Sequence, residues 1–328
     1  MNRGPTIAAI ELLRDSLGKD LIRTPMMRCT AIEALLGGGT TVFGKLEFLQ
    51  RTGTFKARGA LAVLNSLSDE QRAAGVTAVS AGNHAVATAY AARAVGASAK
   101  VVMISTANIS RIEACRSYGA ELVFVDDIHE AFEIAKAIQD QEGRFFVHPF
   151  EGSAIATGTG MLGLEMCEQC EQFDAVVVPI GGGGLIGGIS SAIKQLRPDC
   201  EIIGVEPEGA DSMHRSFDAG KPQAIERVRT IADSLGAPFA LPFSFDLCRQ
   251  NVDRLVLVDD TQLGQAMGLL YRLMKIAVEP ACASSTAALL GPLRDHLQGK
   301  TIVSVFCGSN IDWATFAKQA IFEDIDAA

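Results

Sequence analysis

The chain has 328 residues, 48% of them hydrophobic, and a formal net charge of −9. A chain of this length can bury a large core and is expected to form about two domains. The acidic balance argues against nucleic acid or anionic membranes as partners, and no stretch approaches the ~20 apolar residues of a membrane span. Glu11, Arg14 and Asp15 interrupt the region where a signal peptide needs an apolar run. We therefore predict an amphipathic N-terminal helix and a cytoplasmic location.

Strand-like and helical runs alternate almost from end to end, which predicts an α/β fold with two open, mainly parallel twisted sheets flanked by helices. The apolar strand candidates are TVFGKLEF, VTAVSA, AKVVMIS, ELVFVD, RFFVHPF, DAVVVPIG, EIIGVEP, DRLVLVDD and TIVSVFCG. Residues 69–151 contain four strand–helix alternations of their own. We predict that they form a small domain, and that residues 1–68 and 152–328 form a large one.

The first unusual turn, LQRTGTFKARGA, follows a predicted strand and places Lys56 at a helix start, with Thr54 as its expected cap. Ligands of open parallel sheets bind beyond the carboxyl ends of the strands, so such turns are where chemistry is expected. Lys56 is either a solvated surface residue or a desolvated amine of lowered pKa that can form a Schiff base. Phe55 and Ala57 flank it, which favours desolvation.

The second turn, SAGNHA, brings Ser80 and Asn83 to another helix start, where free backbone N–H groups attract an anion such as a carboxylate. Ordinary capping of the helix explains these two residues equally well.

The third turn, PIGGGGLIGGIS, follows an apolar strand and opens a helix. Backbone without Cβ atoms can wrap closely around a phosphate at a helix N-terminus. The rival is a dinucleotide fingerprint, since Gly182, Gly184 and Gly187 match its spacing and Glu206 could supply the acid. A fourth turn, CGSN, places Ser309 at the end of a strand, where it is a turn serine or a donor to a ring nitrogen.

Together and in this order, the four motifs resemble the fold-type-II pyridoxal-phosphate (PLP) enzymes, whose fold is that of tryptophan synthase β, and most closely the threonine/serine dehydratase branch. The resemblance covers nearly the whole chain. It implies that Lys56 carries the PLP Schiff base and that Phe55 packs beside the ring. It also implies three groups of contacts. The phosphate is expected to contact Gly181, Gly182, Gly183, Gly184 and Leu185, and the ring is expected to contact Asn83, Glu279 and Ser309. The substrate is expected to contact Ser80, Ala81, Gly82, Asn83 and His84.

The implied activity is the conversion of L-threonine or L-serine to a 2-oxo acid and ammonia, with Lys56 removing the Cα proton before β-elimination. A serine beside the ring nitrogen keeps the ring neutral, which favours elimination over transamination. Ala81 stands where serine racemases of the family carry a second base, so racemisation should be poor. The run AVEPACASS, and the absence of a glutamine common in relatives from GSAIATGTGM, leave phenylserine or 3-hydroxyaspartate open as substrates.

The resemblance also points to a divalent-cation site at Glu206 and the carbonyl of Ala210. Ser212 stands where a second carboxylate is expected, which weakens the case for such a cation. A homodimer or higher homo-oligomer is expected by analogy. No appended regulatory domain is expected, because CGSN lies near the end of the sequence. The more distant alternatives are a nicotinamide-dependent dehydrogenase and a catalytically silent binding protein.

Overall fold

The computed structural model describes residues 4–322, apart from the side chains at positions 128 and 129. Its larger sheet has six strands in the order β1-β2-β10-β7-β8-β9, and only the β1–β2 pairing is antiparallel. The smaller sheet has four parallel strands in the order β5-β4-β3-β6. The strands are β1 Met26–Arg28, β2 Thr41–Leu46, β3 Val76–Val79, β4 Ala99–Ile104, β5 Glu121–Val125, β6 Phe145–Phe146, β7 Ala175–Pro179, β8 Glu201–Pro207, β9 Arg254–Val258 and β10 Thr301–Phe306.

Helices connect the parallel strands, as crossover connections in parallel sheets require. They are α1 Ile7–Leu17, α2 Thr30–Leu36, α3 Lys56–Asn65, α4 Asp69–Ala74, α5 Asn83–Ala94, α6 Ile109–Ser117, α7 Ile128–Glu142, α8 Ser153–Gln169, α9 Gly184–Leu196, α10 Ser212–Ala219, α11 Pro242–Asn251, α12 Asp260–Met274, α13 Pro280–Leu290 and α14 Trp313–Gln319. In the described part of the chain, no helix is long and apolar enough to cross a membrane.

Strand β7 shows why the central strands form where they do. All five of its residues are buried, because helices cover both faces of a parallel sheet, and its sequence is correspondingly a continuous apolar run. The strand predicted over TVFGKLEF is shorter in the structure. Strand β2 ends at Leu46, and Glu47 begins a short 3₁₀ helix in which its buried carboxylate pairs with Arg58.

The apolar side chains form two main cores. One surrounds the six-stranded sheet, and the other joins the four-stranded sheet to α1, α3, α5 and α8. This second core includes Ile10, Leu61 and Leu164, which lie outside residues 69–151, together with Val86 and Val101 inside that range. The small sheet itself is built from residues 76–146. The boundary of the two domains stays a prediction.

Strand order brings the unusual turns together. Phe306 of β10 lies opposite Leu46 of β2, so the segments after these strands run side by side. Phe55 donates its backbone N–H to Cys307, and Ser309 donates to Gly53. Strand β7, which leads to the glycine turn, is the other neighbour of β10. Three of the four turns therefore meet at one edge of the large sheet.

Candidate active site

Lys56 is the first residue of α3, and its amino group turns inward. Its Nζ donates a hydrogen bond to the carbonyl of Pro149 at 2.7 Å and lies 5.1 Å from the centre of the Phe55 ring. Burial lowers the pKa of Lys56 to about 8, against the opposing effects of Cys307 and Glu279. The amine is therefore uncharged more often than an ordinary lysine at neutral pH. Phe55, not Thr54, is the cap residue of α3, although Thr54 Oγ1 still accepts from the Lys56 N–H at 3.3 Å.

A buried ion network fixes the helix that carries Lys56. Arg58, two residues further along α3, donates to the carboxylates of Glu47 and Glu165 at 2.7–2.9 Å. Lys45 on β2 binds the same Glu165 carboxylate, and all four side chains are at most 4% exposed. Two cations and two anions balance within the protein, so removing one partner would leave a buried charge uncompensated. The network holds α3 in one position against α8 and β2.

The glycine turn leads from β7 into α9 without side chains on its inner surface. Gly183 caps the helix in the left-handed region, with φ +91°. A Cβ at Gly182 would lie 2.3 Å from the Phe150 ring, and one at Gly184 would lie 2.5 Å from the Phe150 carbonyl oxygen. The first N–H groups of a helix have no partner within it, so this start can receive an anion. Leu185, also predicted to bind cofactor, lies in the first turn.

The SAGNHA turn leads from β3 into α5. Ser80 Oγ accepts the N–H of Gly82 at 3.0 Å, which tightens the turn. His84 is buried and its Nε2 lies 2.8 Å from the carbonyl oxygen of Val147. Burial, helped by the charge of Lys56, lowers the pKa of His84 to about 3, so the imidazole is neutral at working pH. Ala81 offers no acceptor. We call residues 80–84 the substrate loop, after the role that the resemblance predicts for them.

Asn83 connects this loop to the large sheet. Its Nδ2 donates to both oxygens of Glu279, at 2.8 and 3.0 Å, and to Ser234 Oγ at 3.2 Å. Its Oδ1 accepts from Asn310 Nδ2 at 2.9 Å. Glu279 is 2% exposed at the start of α13, and burial raises its pKa to about 7. Ser309, adjacent to Asn310, is half-buried. Residues predicted to face the ring are thus neighbours, but their roles toward a cofactor stay predictions.

Sequence reasoning missed two groups of residues at this site. The first is the segment after β6, where Pro149 receives Lys56 and His148 accepts the backbone N–H groups of Phe150 and Glu151 at its Nδ1, at 3.2 and 2.9 Å. Burial lowers the pKa of His148 to about 4, so its ring is neutral, with the proton on Nε2. The motif HPF at the end of a predicted strand was the available signal.

The second missed group centres on Arg111 of α6, a buried guanidinium that donates to Asp233. No sequence signal marks this pair, because the two residues are 122 positions apart.

Glu206 and Ala210 lie on β8 and just after it, and β8 is a neighbour of the strand that leads to the glycine turn. Glu206 is fully buried at β8 and its two oxygens accept the backbone N–H groups of Met213 and His214, at 2.9 and 2.7 Å, at the start of α10. Burial raises the pKa of Glu206 to about 8. Among the described residues, no group of three or more His, Cys, Asp or Glu side chains could hold a metal. Both oxygens of Glu206 are therefore already used at a helix start, and the divalent cation stays an untested prediction.

A small pocket lies beside Lys56. Its lining combines small residues with two histidines and one aromatic ring: Phe55, Lys56, Gly59, Ala60, His84, His148, Pro149, Ile155, Thr159, Gly184 and Leu185. An amine of lowered pKa suits the aldehyde of PLP, and the side-chain-free start of α9 suits its phosphate. The residues present therefore fit this cofactor.

Comparison with known proteins agrees with this fit. The family model described as "Pyridoxal-phosphate dependent enzyme" matches residues 19–308. A phenylserine dehydratase from Ralstonia pickettii is 53% identical over 96% of both chains, and an L-threonine ammonia-lyase from Thermotoga maritima is 37% identical over 94% of this chain and 76% of its own.

Solved structures also superpose on this chain over nearly its whole length. Maize serine racemase superposes with a TM-score of 0.89 at 34% identity, over 95% of this chain and 97% of its own. The T.th. threonine deaminase superposes with a TM-score of 0.88 at 35% identity, over 94% of this chain and 99% of its own. The predicted fold class and PLP dependence are confirmed. Lys56 and the glycine turn lie at one edge of the large sheet, and Asn83 connects the substrate loop to that edge. The chain belongs to the family of pyridoxal-phosphate dependent enzymes and has the fold-type-II α/β architecture.

Proposed function

We propose that this enzyme dehydrates a β-hydroxy α-amino acid, releasing a 2-oxo acid and ammonia. The observation that carries the proposal is the arrangement of bases at the site. Lys56 is half-buried and desolvation lowers the pKa of its amine to about 8, whereas the substrate loop has a methyl group at Ala81. One base on one face suits proton removal followed by loss of a β-group, and it does not suit racemisation.

When bound, PLP supplies an electron sink for the electrons released at Cα. Lys56 would hold the cofactor through its aldehyde, and the amine of Lys56 would take the Cα proton of the substrate. The N-terminus of α5 receives the substrate carboxylate. His84 and His148 stay neutral, so neither adds a competing positive charge beside Lys56. Elimination of the β-hydroxyl as water leaves an enamine, which takes up water and releases ammonia and the 2-oxo acid.

We propose phenylserine as the first candidate substrate, ahead of threonine and serine. The relative at 53% identity is a phenylserine dehydratase, and the L-threonine ammonia-lyase at 37% is more distant. The lining of the pocket beside Lys56 supports an aromatic β-substituent over a charged one, because it includes the Phe55 ring and the small residues Gly59, Ala60 and Thr159. 3-Hydroxyaspartate is less well supported, because Lys56 is the one cationic side chain among the pocket-lining residues named above.

The test is a substrate panel on the purified enzyme, containing L-threo-phenylserine, L-threonine, L-serine and 3-hydroxyaspartate, with 2-oxo acid and ammonia measured together. We expect equal amounts of both products and the highest kcat/KM for phenylserine. A preference for threonine or serine would overturn the substrate assignment but leave dehydration intact. Absence of both products for every member of the panel would overturn dehydration itself.

We further propose a homodimer in the cytoplasm, on analogy with the family. Size-exclusion chromatography with light scattering tests the assembly, and fractionation of cells tests the location. A monomeric mass would contradict the first proposal, and recovery outside the cytoplasmic fraction would contradict the second.

A further inference from the structure

Helix α6 belongs to the four-stranded sheet, yet two residues at its start make three hydrogen bonds to segments of the large sheet. Asn108, the cap residue of α6, donates to Asp312 Oδ2 at 2.5 Å. Arg111 donates from Nη1 to Asp233 Oδ2 at 2.6 Å and from Nη2 to the carbonyl of Asn310 at 3.2 Å. Asn310 and Asp312 follow β10, and Asp233 opens the 3₁₀ helix Asp233–Leu235. These contacts join the two sheets at the active-site edge.

Stability of the fold does not explain the Arg111 contacts. The Arg111 side chain is 9% exposed, whereas that of its partner Asp233 is 57% exposed. An ion pair with one member in water contributes little, about 0–1 kcal/mol, while burying a guanidinium has a cost. The cost is not fully offset here, because the buried Arg111 Nε has no hydrogen-bond partner among the residues that the structure describes. A charge kept in such a place points to a functional role.

Arg111 reaches the substrate loop by two routes. The carbonyl of Asn310 accepts from Arg111, and the side-chain amide of the same residue donates to Asn83 Oδ1. Glu279, which accepts both hydrogen bonds from Asn83 Nδ2, lies 3.9 Å from Arg111 Nη2. The guanidinium also lies beside the loop itself, since a Cβ at Gly82 would be 3.6 Å from Arg111 Nη1.

We propose that Arg111 is a positioning residue that holds the substrate loop against the large sheet, using Asp233 and Asn310 as anchors and acting through Asn83 and Glu279. Its planar fork engages both anchors at once, which a lysine cannot do. The enzyme thereby keeps the carboxylate-binding start of α5 at a fixed place relative to Lys56. This inference depends on the proposed function only for the identity of the bound carboxylate, and its first test needs no substrate.

The first test is hydrogen–deuterium exchange of the backbone amides at positions 81–84 in the holoenzyme. Arg111→Met should exchange there about fivefold faster than wild type, since the loop loses its anchors and opens locally. Arg111→Lys should be intermediate, because it keeps the contact with Asp233 alone. Lys194→Met is the matched control. It removes a cation paired with Asp253 at 2.8 Å, away from the substrate loop, and should leave the loop unchanged.

The second test is steady-state kinetics on the best substrate of the panel. Arg111→Met should raise KM about tenfold and lower kcat by less than about threefold, because the carboxylate site is displaced while Lys56 is not. If Arg111→Met does not fold, Asp233→Asn removes one anchor at an exposed position and should give smaller changes in the same direction. Wild-type exchange at positions 81–84 in a folded Arg111→Met, or equal acceleration in Lys194→Met, would overturn the proposal. Failure of every substrate would leave the exchange result standing and would count against the proposed function instead.

Discussion

Two helix starts face the pocket beside Lys56, and they are built in opposite ways. The start of α9 has glycine backbone on its inner surface, and the Phe150 ring occupies the space that a Cβ at Gly182 would need. The start of α5 carries Asn83 and His84, and both side chains are bonded to other segments. Both starts present backbone N–H groups and a positive dipole end. One relies on shape and the other on a network of polar side chains.

The difference teaches which changes each start tolerates. At the start of α9, substitutions that add side-chain volume should be harmful, because the backbone must come close to an anion and to Phe150. At α5 the hazard is lost hydrogen bonding, since Asn83 joins Glu279, Ser234 and Asn310. The following predictions use that contrast, from the largest expected effect to the smallest.

Lys56 lines the same pocket as the two helix starts, and its loss should have the largest effect on activity. Lys56→Ala should abolish the visible absorbance band of the bound cofactor and lower kcat by about 10³-fold or more, because no other residue is expected to replace its amine. Absorbance spectra and the coupled 2-oxo acid assay measure the two effects. Appreciable deamination by the variant would contradict the assignment of the base.

Adding one methyl group to the glycine turn tests the role of shape at α9. Gly182→Ala places a Cβ 2.3 Å from the Phe150 ring, and we expect the affinity for PLP to fall by about 10–100-fold, in line with ~1–3 kcal/mol of overpacking. Gly187→Ala is the control, since its Cβ would meet Leu247 at an ordinary 3.4 Å. Fluorescence titration of the apoenzyme with PLP measures both. Equal affinities would show that Phe150 yields and that shape does not govern this helix start.

The α5 start buries a titratable group, and this predicts a pH dependence of stability. The pKa of His84 is about 3 in the folded protein and near 6.5 in the unfolded chain. Between these two pH values the unfolded state binds a proton at His84 and the folded state does not. The free energy of unfolding of the apoenzyme should therefore fall as pH decreases from ~6.5 toward 3, by up to about 1.4 kcal/mol per pH unit from this residue.

His84→Asn should flatten that slope, although it also weakens the contact with Val147. Chemical denaturation of both proteins at several pH values between ~4.5 and ~7.5 gives the comparison. An identical slope in the variant would mean that His84 takes up its proton in the folded state as readily as in the unfolded one.

The smallest expected effect is a gained activity at α5. Ala81→Ser places a hydroxyl on the substrate loop, where the resemblance puts the second base of racemases, and should produce a small amount of D-serine from L-serine at some cost to dehydration. Chiral chromatography of the residual serine measures it. Substantial D-serine from the unmodified enzyme would contradict the assignment of dehydration over racemisation, since it would require a second base.

Local patterns in the sequence determined the α/β architecture, the lysine turn, the glycine turn and the family. These features depend on residues close together in the chain, such as four consecutive glycines after an apolar strand, and local conformational limits make such runs distinctive. The cofactor-binding roles of individual residues remain predictions from the resemblance.

Tertiary structure alone decided which polar groups meet. The capping of α10 by Glu206, the placing of His148 beside Lys56 and the contact of Arg111 with Asp233 depend on strand order and helix packing. A buried arginine and an exposed one look alike in a sequence. They differ in their exposure to water and in the distant residues that contact them. Both properties depend on how the two sheets pack.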